Sequence, residues 1–247
     1  QWARAFDIKY EDASGNQQYV HQTTYGMSER LLGAIVASHG DDKGLVMPPP
    51  VATVQVVVIP IISKGDSSDV ISESDRITSE LKSAGIRVRL DSRDIRPGQK
   101  YYDWEIKGVP LRIEIGPRDL ANNSIMCVRR TGGKKSHSVN NLVDAVRSEL
   151  DIVGEEMKQQ SSDHFNSRIK TLPAFTIDGT DLVLDQAIEK GTVYEMAFDG
   201  NDAEAEMIEK GTDLSFLGDS TTAYKKKVPC VITGKPTTRR IFLAKPY

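Results

Sequence analysis

Cysteine is scarce in this sequence, aromatic residues are few, and neither sign of charge is in large excess. Its two cysteines, Cys127 and Cys230, make no disulfide framework, and neither stands in a C-x-x-C pair. With 32 Lys+Arg against 35 Asp+Glu the net charge is -3, so no global polycation drives nucleic-acid binding. No apolar run approaches the roughly 20 residues of a membrane span, and the first residues carry no signal-peptide pattern. A membrane protein, a secreted disulfide scaffold and a four-cysteine zinc domain are therefore not expected. A hydrophobic content of 38% with 6% aromatics leaves Val, Ile and Leu to build the cores, and 27% charged residues suit a soluble, cytoplasmic protein. At 247 residues the chain exceeds one typical domain of roughly 100–200 residues. It opens with Gln1 inside a strand-like pattern rather than with Met, and is expected to be a piece of a longer polypeptide.

The mean charge conceals three zones. Residues 86–135 hold 12 Lys/Arg and 6 Asp/Glu, a local +6; residues 151–210 hold 5 and 14, a local -9. Residues 225–247 hold 7 Lys/Arg and no acid. Such asymmetry suggests different partners for different surfaces, although a charge run is commonly a solvated face.

Patterning predicts a mixed α/β protein. Phe6, Ile8 and Tyr10 alternate as in a strand, with a turn over 12–16 and a returning strand over 18–24. Leu31, Leu32, Ile35 and Val36 mark a helix face ended by Gly40, Gly44 and the Pro48–Pro50 run. Residues 54–62 read as a strand buried on both faces. Helices over 72–84 and 99–107 alternate with strands over 86–90, 109–115 and 125–129, and a long helix runs from 140 towards 169. Beyond Thr171 the pattern restarts as a second small α/β unit, with helices over 181–190 and 202–211 and strands over 192–197, 228–232 and 240–244. The expected domains are 1–52, 53–153 and 154–247.

Three clusters carry chemistry. Around Gly26 a strand end, a glycine turn and Arg30 at a helix opening could present a guanidinium to a nucleobase or polyphosphate, with the hydroxyls of Thr24 and Ser28 nearby. Taken alone, Arg30 reads as a surface ion-pair residue and Ser28 as a helix cap. In His39-Gly-Asp41-Asp42 the carboxylates could hold a metal, but adjacent Asp residues between glycines are commonly turn formers. In the basic zone, Glu105, Arg112, Arg118, Asp119 and Lys134 stand at element ends. Taken alone they read first as strand-end salt bridges, the alternative being that they face RNA. Arg offers two donors to guanine O6 and N7, and carboxylates accept guanine N–H protons.

The runs Gly26-x-Ser28-x-Arg30-Leu-x-Gly33-Ala and His39-Gly-Asp-Asp-x-Gly-Leu-Val-x-Pro-Pro49 resemble prolyl-tRNA synthetases of the archaeal and eukaryotic type. The resemblance continues through Val56-Val-Val-Ile-Pro60, Gly85-Ile-Arg-Val-Arg89, Trp104-Glu-x-Lys-Gly-Val-Pro110 and Leu111-Arg-x-Glu-x-Gly-Pro-Arg-Asp119, and covers essentially the whole chain. It implies the end of a class II catalytic domain with its antiparallel sheet, then an α/β anticodon-binding domain with a mixed sheet, then a small α/β C-terminal domain. It implies the ATP-binding arginine in Arg30, with Ser28 beside the nucleotide, and a prolyl-adenylate pocket lined by Thr24, Tyr25 and the C-terminal Tyr247. Tyr25 stands where the family usually has Trp, and Glu29 where it often has Thr. The same resemblance makes Glu105, Arg112, Arg118, Asp119 and Lys134 the anticodon-reading set.

Family members usually end in a domain with four zinc-binding cysteines. The first pair should fall near Asp199 and Glu204, the second at Cys230 and Thr233, and only Cys230 is a cysteine. One thiol and two carboxylates fall short of a tetrahedral structural site, so no zinc is expected. The implied partners are tRNA(Pro), proline and ATP with Mg²⁺, in an enzyme that forms a homodimer. Arg30 alone supplies too little of an ATP site for this chain to activate proline by itself. Two other readings are a non-catalytic tRNA-binding module and another class II synthetase, threonyl or glycyl, with a related anticodon domain.

Overall fold

The computed structural model describes residues 2–62, 68–179 and 181–245. The chain folds as two compact α/β units, residues 1–157 and 158–247.

The first unit begins with a short helix, α1 (Trp2–Ala5), and a two-stranded antiparallel hairpin, β1 (Lys9–Glu11) and β2 (Gln17–Tyr19). Asp12 closes the hairpin, its Oδ1 accepting from the amides of Ser14 and Asn16, as Asx chemistry prescribes. The returning strand is shorter than expected, and residues 21–28 follow without regular structure. Helix α2 (Arg30–His39) then carries the expected apolar stripe but buries none of it. Leu31, Leu32 and Val36 all face solvent. Asp41 and Gly44 form a tight turn in which Asp41 Oδ1 accepts the Lys43 amide, so these carboxylates are turn formers here.

The core of the unit is a five-stranded sheet. Strands β3 (Val56–Pro60), β4 (Val88–Leu90), β5 (Leu111–Ile115), β6 (Ser124–Arg129) and β7 (Lys134–Ser138) lie in the order β4-β3-β5-β6-β7. The first three are parallel, joined by helices α3 (Ser68–Ser83) and α4 (Pro97–Ile106). The last two run antiparallel, with the short helix α5 (Pro117–Ala121) between β5 and β6. Alternation along β5 sends Leu111, Ile113 and Ile115 to one face, where Val70, Ile77 and Leu81 of α3 cover them. Leu142, Val146 and Leu150 of α6 (Leu142–Ser167) cover the same face. Each such side chain contributes roughly 1.5–3 kcal/mol on burial. On the opposite face, Trp104 of α4 packs with Val57, Ile59 and Val109. Helix α4 covers that side over β3 and reaches β5 through Tyr101, and among the described residues the rest of the β5, β6 and β7 face is left open. Strand β7 was not foreseen, because Lys-Lys-Ser-His-Ser carries no apolar signal.

The second unit holds a four-stranded sheet in the order β12-β15-β11-β8, built from β8 (Ile169–Thr171), β11 (Val193–Ala197), β12 (Ser215–Asp219) and β15 (Arg240–Ala244). A hairpin of β9 (Phe175–Asp178) and β10 (Asp181–Leu184) and a two-stranded pair of β13 (Val228–Pro229) and β14 (Pro236–Thr237) accompany it, with helix α7 (Asp202–Thr212). Met196, Ile208, Ile241 and Leu243 form its core. Residues 181–190, expected to be helical, are strand and loop instead. Leu182 is buried and Val183 exposed, a period of two that sits on the β hairpin.

Candidate nucleic-acid interface

Paired residues of neighbouring strands share a sheet face, and the register therefore defines the open surface. Arg112 lies opposite Val128, which lies opposite Lys134; Glu114 lies opposite Met126, which lies opposite Ser136. These six form two rows across β5, β6 and β7 on the face that α3 and α6 do not cover. The rows combine a cation at each end, one carboxylate, one hydroxyl and two half-buried apolar side chains.

Helix α4 borders this surface. Pro97 opens the helix, and its ring supplies the backbone angle that a first turn requires. Its last turns place Tyr101 and Glu105 beside β5. The Arg112 guanidinium lies over the Tyr101 ring, 3.9 Å from its centroid. Arg112 Nε donates to Glu114 Oε1 at 2.9 Å, and an Arg112 terminal nitrogen lies 3.7 Å from Glu105 Oε1. Lys134 Nζ donates to Glu114 Oε2 at 3.3 Å. Burial pushes the Tyr101 hydroxyl up from its ordinary range, aided by the Glu114 charge.

Of the five residues expected to read a base, the structure brings together Glu105, Arg112 and Lys134. Glu114 and Tyr101 complete the cluster and were not anticipated. Glu114 had a usable signal, because a residue two places beyond Arg112 on a strand shares its face. Tyr101 had none, since its contact with Arg112 joins a helix to a strand. Arg118 and Asp119 sit in α5, after the C-terminal end of β5. Asp119 Oδ2 accepts the Gly116 amide at 2.9 Å and so holds the first turn of that helix. Arg118 is exposed and forms no ion pair with another described residue.

Two further ion-pair systems brace the domain. Arg130, whose side chain is 4% exposed, donates from both terminal nitrogens to Asp41. Its hydrogen bonds hold the Asp41 carboxyl at about 2 against the opposing effect of burial. The backbone beside this pair is tightly packed. Gly108 has φ +69°, and a Cβ there would stand 2.7 Å from Leu45. On the other sheet face, buried Glu149 of α6 accepts from Arg129 at 2.7 Å and contacts His137 Nε2 at 2.8 Å. Burial opposes the Glu149 charge, but these two partners outweigh it and its pKa falls below the ordinary value.

Thr24, Tyr25, Ser28 and Arg30 are all exposed, Tyr25 to 93%. Ser28 is not the helix cap: Glu29 occupies that position without a side-chain bond, while the Ser28 carbonyl accepts the Leu31 amide. Tyr247 lies outside the described residues.

In the second unit, Cys230 is buried and its Sγ accepts the Asp199 amide at 3.3 Å. Burial opposes ionisation of this thiol. Bonds from Thr233 and from the Asp199 and Ile232 amides more than compensate, and its pKa is lowered. Three of the four zinc-type positions, Asp199, Cys230 and Thr233, therefore meet, whereas Glu204 is engaged in capping α7 through the Asn201 amide. No three His, Cys, Asp or Glu side chains converge as a metal cage among the described residues. Nor is any helix among them long and apolar enough to cross a membrane.

Comparison with known proteins follows the same division. A family profile described as an anticodon binding domain matches residues 55–149, the segment that holds the open sheet face. A proline–tRNA ligase of Thermococcus kodakarensis is 42% identical over 239 residues, covering 95% of this chain and 49% of that protein. One from Methanosphaera stadtmanae is 37% identical over 249 residues, covering 100% of this chain and 52% of its own length. Among solved structures, a Giardia lamblia prolyl-tRNA synthetase in complex with prolyl-adenylate superposes with a TM-score of 0.79 at 27% identity, covering 100% of this chain and 53% of that one. The chain thus spans about half the length of the curated relatives it matches.

Proposed function

We propose that this chain, which belongs to the prolyl-tRNA synthetase family, supplies the anticodon-reading part of a proline–tRNA ligase. The observation that carries this reading is the open face of β5, β6 and β7. There a stacked, half-buried arginine is flanked by carboxylates from a strand and a helix. RNA is read in sequence-specific fashion through splayed single-stranded bases, stacked on aromatic or guanidinium planes and hydrogen-bonded at their edges. A guanine edge presents acceptors at O6 and N7 and donors at N1 and N2, so its reader needs both charges side by side. Arg112 and Lys134 provide the donors, and Glu105 is the carboxylate with room to accept. Glu114 is occupied by Arg112 and Lys134 and aims them. A proline anticodon offers two guanines to such a surface. Arg118 and Asp119 belong to the same reading set, with Asp119 acting first on the turn that presents Arg118.

In the full-length enzyme, residues 1–52 close a class II catalytic domain, 53–153 bind the anticodon and 154–247 form the C-terminal domain. The reaction is ATP-dependent activation of proline followed by transfer to tRNA(Pro), in a cytoplasmic homodimer. The proline carboxylate attacks the α-phosphate in line, which places a premium on positioning and on charge stabilisation rather than on a covalent enzyme intermediate. Arg30 and Ser28 face ATP, and Thr24, Tyr25 and Tyr247 border the adenylate. The bare apolar stripe of α2 and the full exposure of Tyr25 support this placement, because both are surfaces made to be covered. The residues here fit one side of an ATP site; Mg²⁺ there would neutralise phosphate charge.

The test is binding of the 247-residue chain to a proline tRNA and to the same tRNA with both anticodon guanines replaced. A clear preference for the guanine anticodon is expected. Equal affinity for both would make the Glu105–Arg112–Glu114 cluster structural.

A further inference from the structure

Trp104 lines two separate depressions. One holds Glu105 and Arg112. The other, of about 270 Å³, lies between β4 and the C-terminal end of α4 and is walled by Arg89, Arg93 and Lys107. In parallel register Arg89 pairs with Val57, so it shares the sheet face on which α4 and Trp104 lie. Lys107 caps the C-terminus of α4, with its Nζ 4.7 Å from the Trp104 ring centroid. Two cations thus face this groove from opposite walls.

The groups inside the groove decide what it can bind. Asp91 accepts from Trp104 Nε1 at 2.7 Å and from two nitrogens of Arg93. Asp103 accepts from Arg93 at 2.8 Å and from Gln99 at 3.0 Å. Both carboxylates, the indole N–H and the Arg93 fork are therefore occupied. Arg89 and Lys107 are exposed and form no ion pair with any described residue. Two exposed cations with no close ion pair among the described residues, beside carboxylates that are already engaged, suit a phosphate better than a base edge.

We infer that Arg89 and Lys107 form a phosphate-tracking groove that grips the backbone of the RNA whose base is read at Arg112. The inference rests on the anticodon reading above. Trp104 is the ridge between the two sites: the strand passes from the base-reading face over the last turn of α4 and sets its phosphodiesters between the two cations. Phosphate contacts fix register without carrying sequence information, and they make affinity salt-dependent.

The experiment measures binding of the whole chain to the proline tRNA and to its guanine-replaced counterpart across 50–200 mM salt. The variants are Arg89→Ala, Lys107→Ala, their combination, and the charge-keeping pair Arg89→Lys with Lys107→Arg. Each alanine should lower the slope of log K against log salt by about 0.7–0.9, a deficit that narrows about threefold from 50 to 200 mM. The loss should be equal on both tRNAs, and the charge-keeping pair should restore the slope. Wild-type affinity and slope in the double alanine variant would overturn the groove while leaving the anticodon reading in place. A loss confined to the guanine anticodon would also overturn it, because that marks base contact. Failure of the unsubstituted chain to bind either tRNA would remove both readings together.

Discussion

The guanidinium of Arg112 stacks 3.9 Å from the centroid of the Tyr101 ring while its Nε donates to Glu114 Oε1 at 2.9 Å. One contact comes from helix α4 and the other from the same strand, so together they fix both the plane and the rotation of the fork. A guanidinium held this way keeps its outward donors aimed without the loss of side-chain freedom that a mobile arginine would incur on binding. The Tyr101 ring contributes about 1 kcal/mol to that alignment by cation–π attraction. The open sheet face thus presents a rigid donor pair beside a carboxylate.

This rigidity leads to the first expectation. Arg112→Ala should reduce discrimination between guanine and replaced anticodons by about 1–3 kcal/mol. Arg112→Lys should restore little, because an ammonium neither stacks nor forks. Tyr101→Phe should keep the preference and Tyr101→Leu should weaken it. Equal loss of affinity on both tRNAs in the Arg112 variants would instead identify a phosphate contact. The comparison needs only filter binding at fixed salt.

Arg30 leads to a second. It opens α2 exposed to solvent, with no side-chain partner among the described residues. In a polypeptide that also contains the remaining half of its relatives' length, Arg30→Ala should depress proline-dependent ATP–pyrophosphate exchange by tenfold or more, as expected when one charge-stabilising donor is lost. Arg4→Ala, on the short first helix, should leave exchange unchanged. Undiminished exchange in Arg30→Ala would remove this residue from the ATP site.

The sequence made some of these features readable and hid others, for identifiable reasons. The uninterrupted Val56–Pro60 run and the alternation of Leu111, Ile113 and Ile115 announced the central strands, because burial on two faces or one leaves a distinct period. Strand β7 was invisible, since an edge strand open to solvent needs no apolar residue; the Gly132–Gly133 turn sets its pairing instead. At Gly133 the backbone has φ +88° and the Arg129 side chain comes so close that a Cβ would collide with it. Residues 181–190 misled because Leu184 and Ile188 stand at the i, i+4 spacing of a helix and Gly191 reads as its stop. Glu105, Arg112 and Lys134 were grouped by resemblance; the register puts Arg112 and Lys134 on one sheet face, and helix α4 brings Glu105 to it. The network beneath them, Asp91 with Arg93 and Trp104, gave no sequence signal, because it joins a strand end to a helix across 13 positions.

That network leads to the last expectation, a pH dependence of stability. Asp91 is 3% exposed. Burial alone would raise its pKa, yet the bonds from Arg93 and Trp104 prevail and hold the carboxyl at about 2, against 3.8 ordinarily. Because the folded value lies below the unfolded one, the stabilisation is fully present above about pH 4 and is lost as pH falls towards 2. The difference corresponds to about 2 kcal/mol at neutral pH. Asp91→Asn keeps the shape and an acceptor for the Trp104 N–H but removes the charge. The Lys100 ammonium, whose pKa burial lowers, donates to the Asp91 backbone carbonyl at 3.0 Å and is spared by the substitution. The urea midpoint, followed by tryptophan fluorescence, should therefore drop in the variant at pH 7. The gap from the unsubstituted chain should close between pH 4 and pH 2. A gap that stays constant over that range would show that the Asp91 carboxylate is not linked to folding, and that the Trp104 indole is held by packing alone.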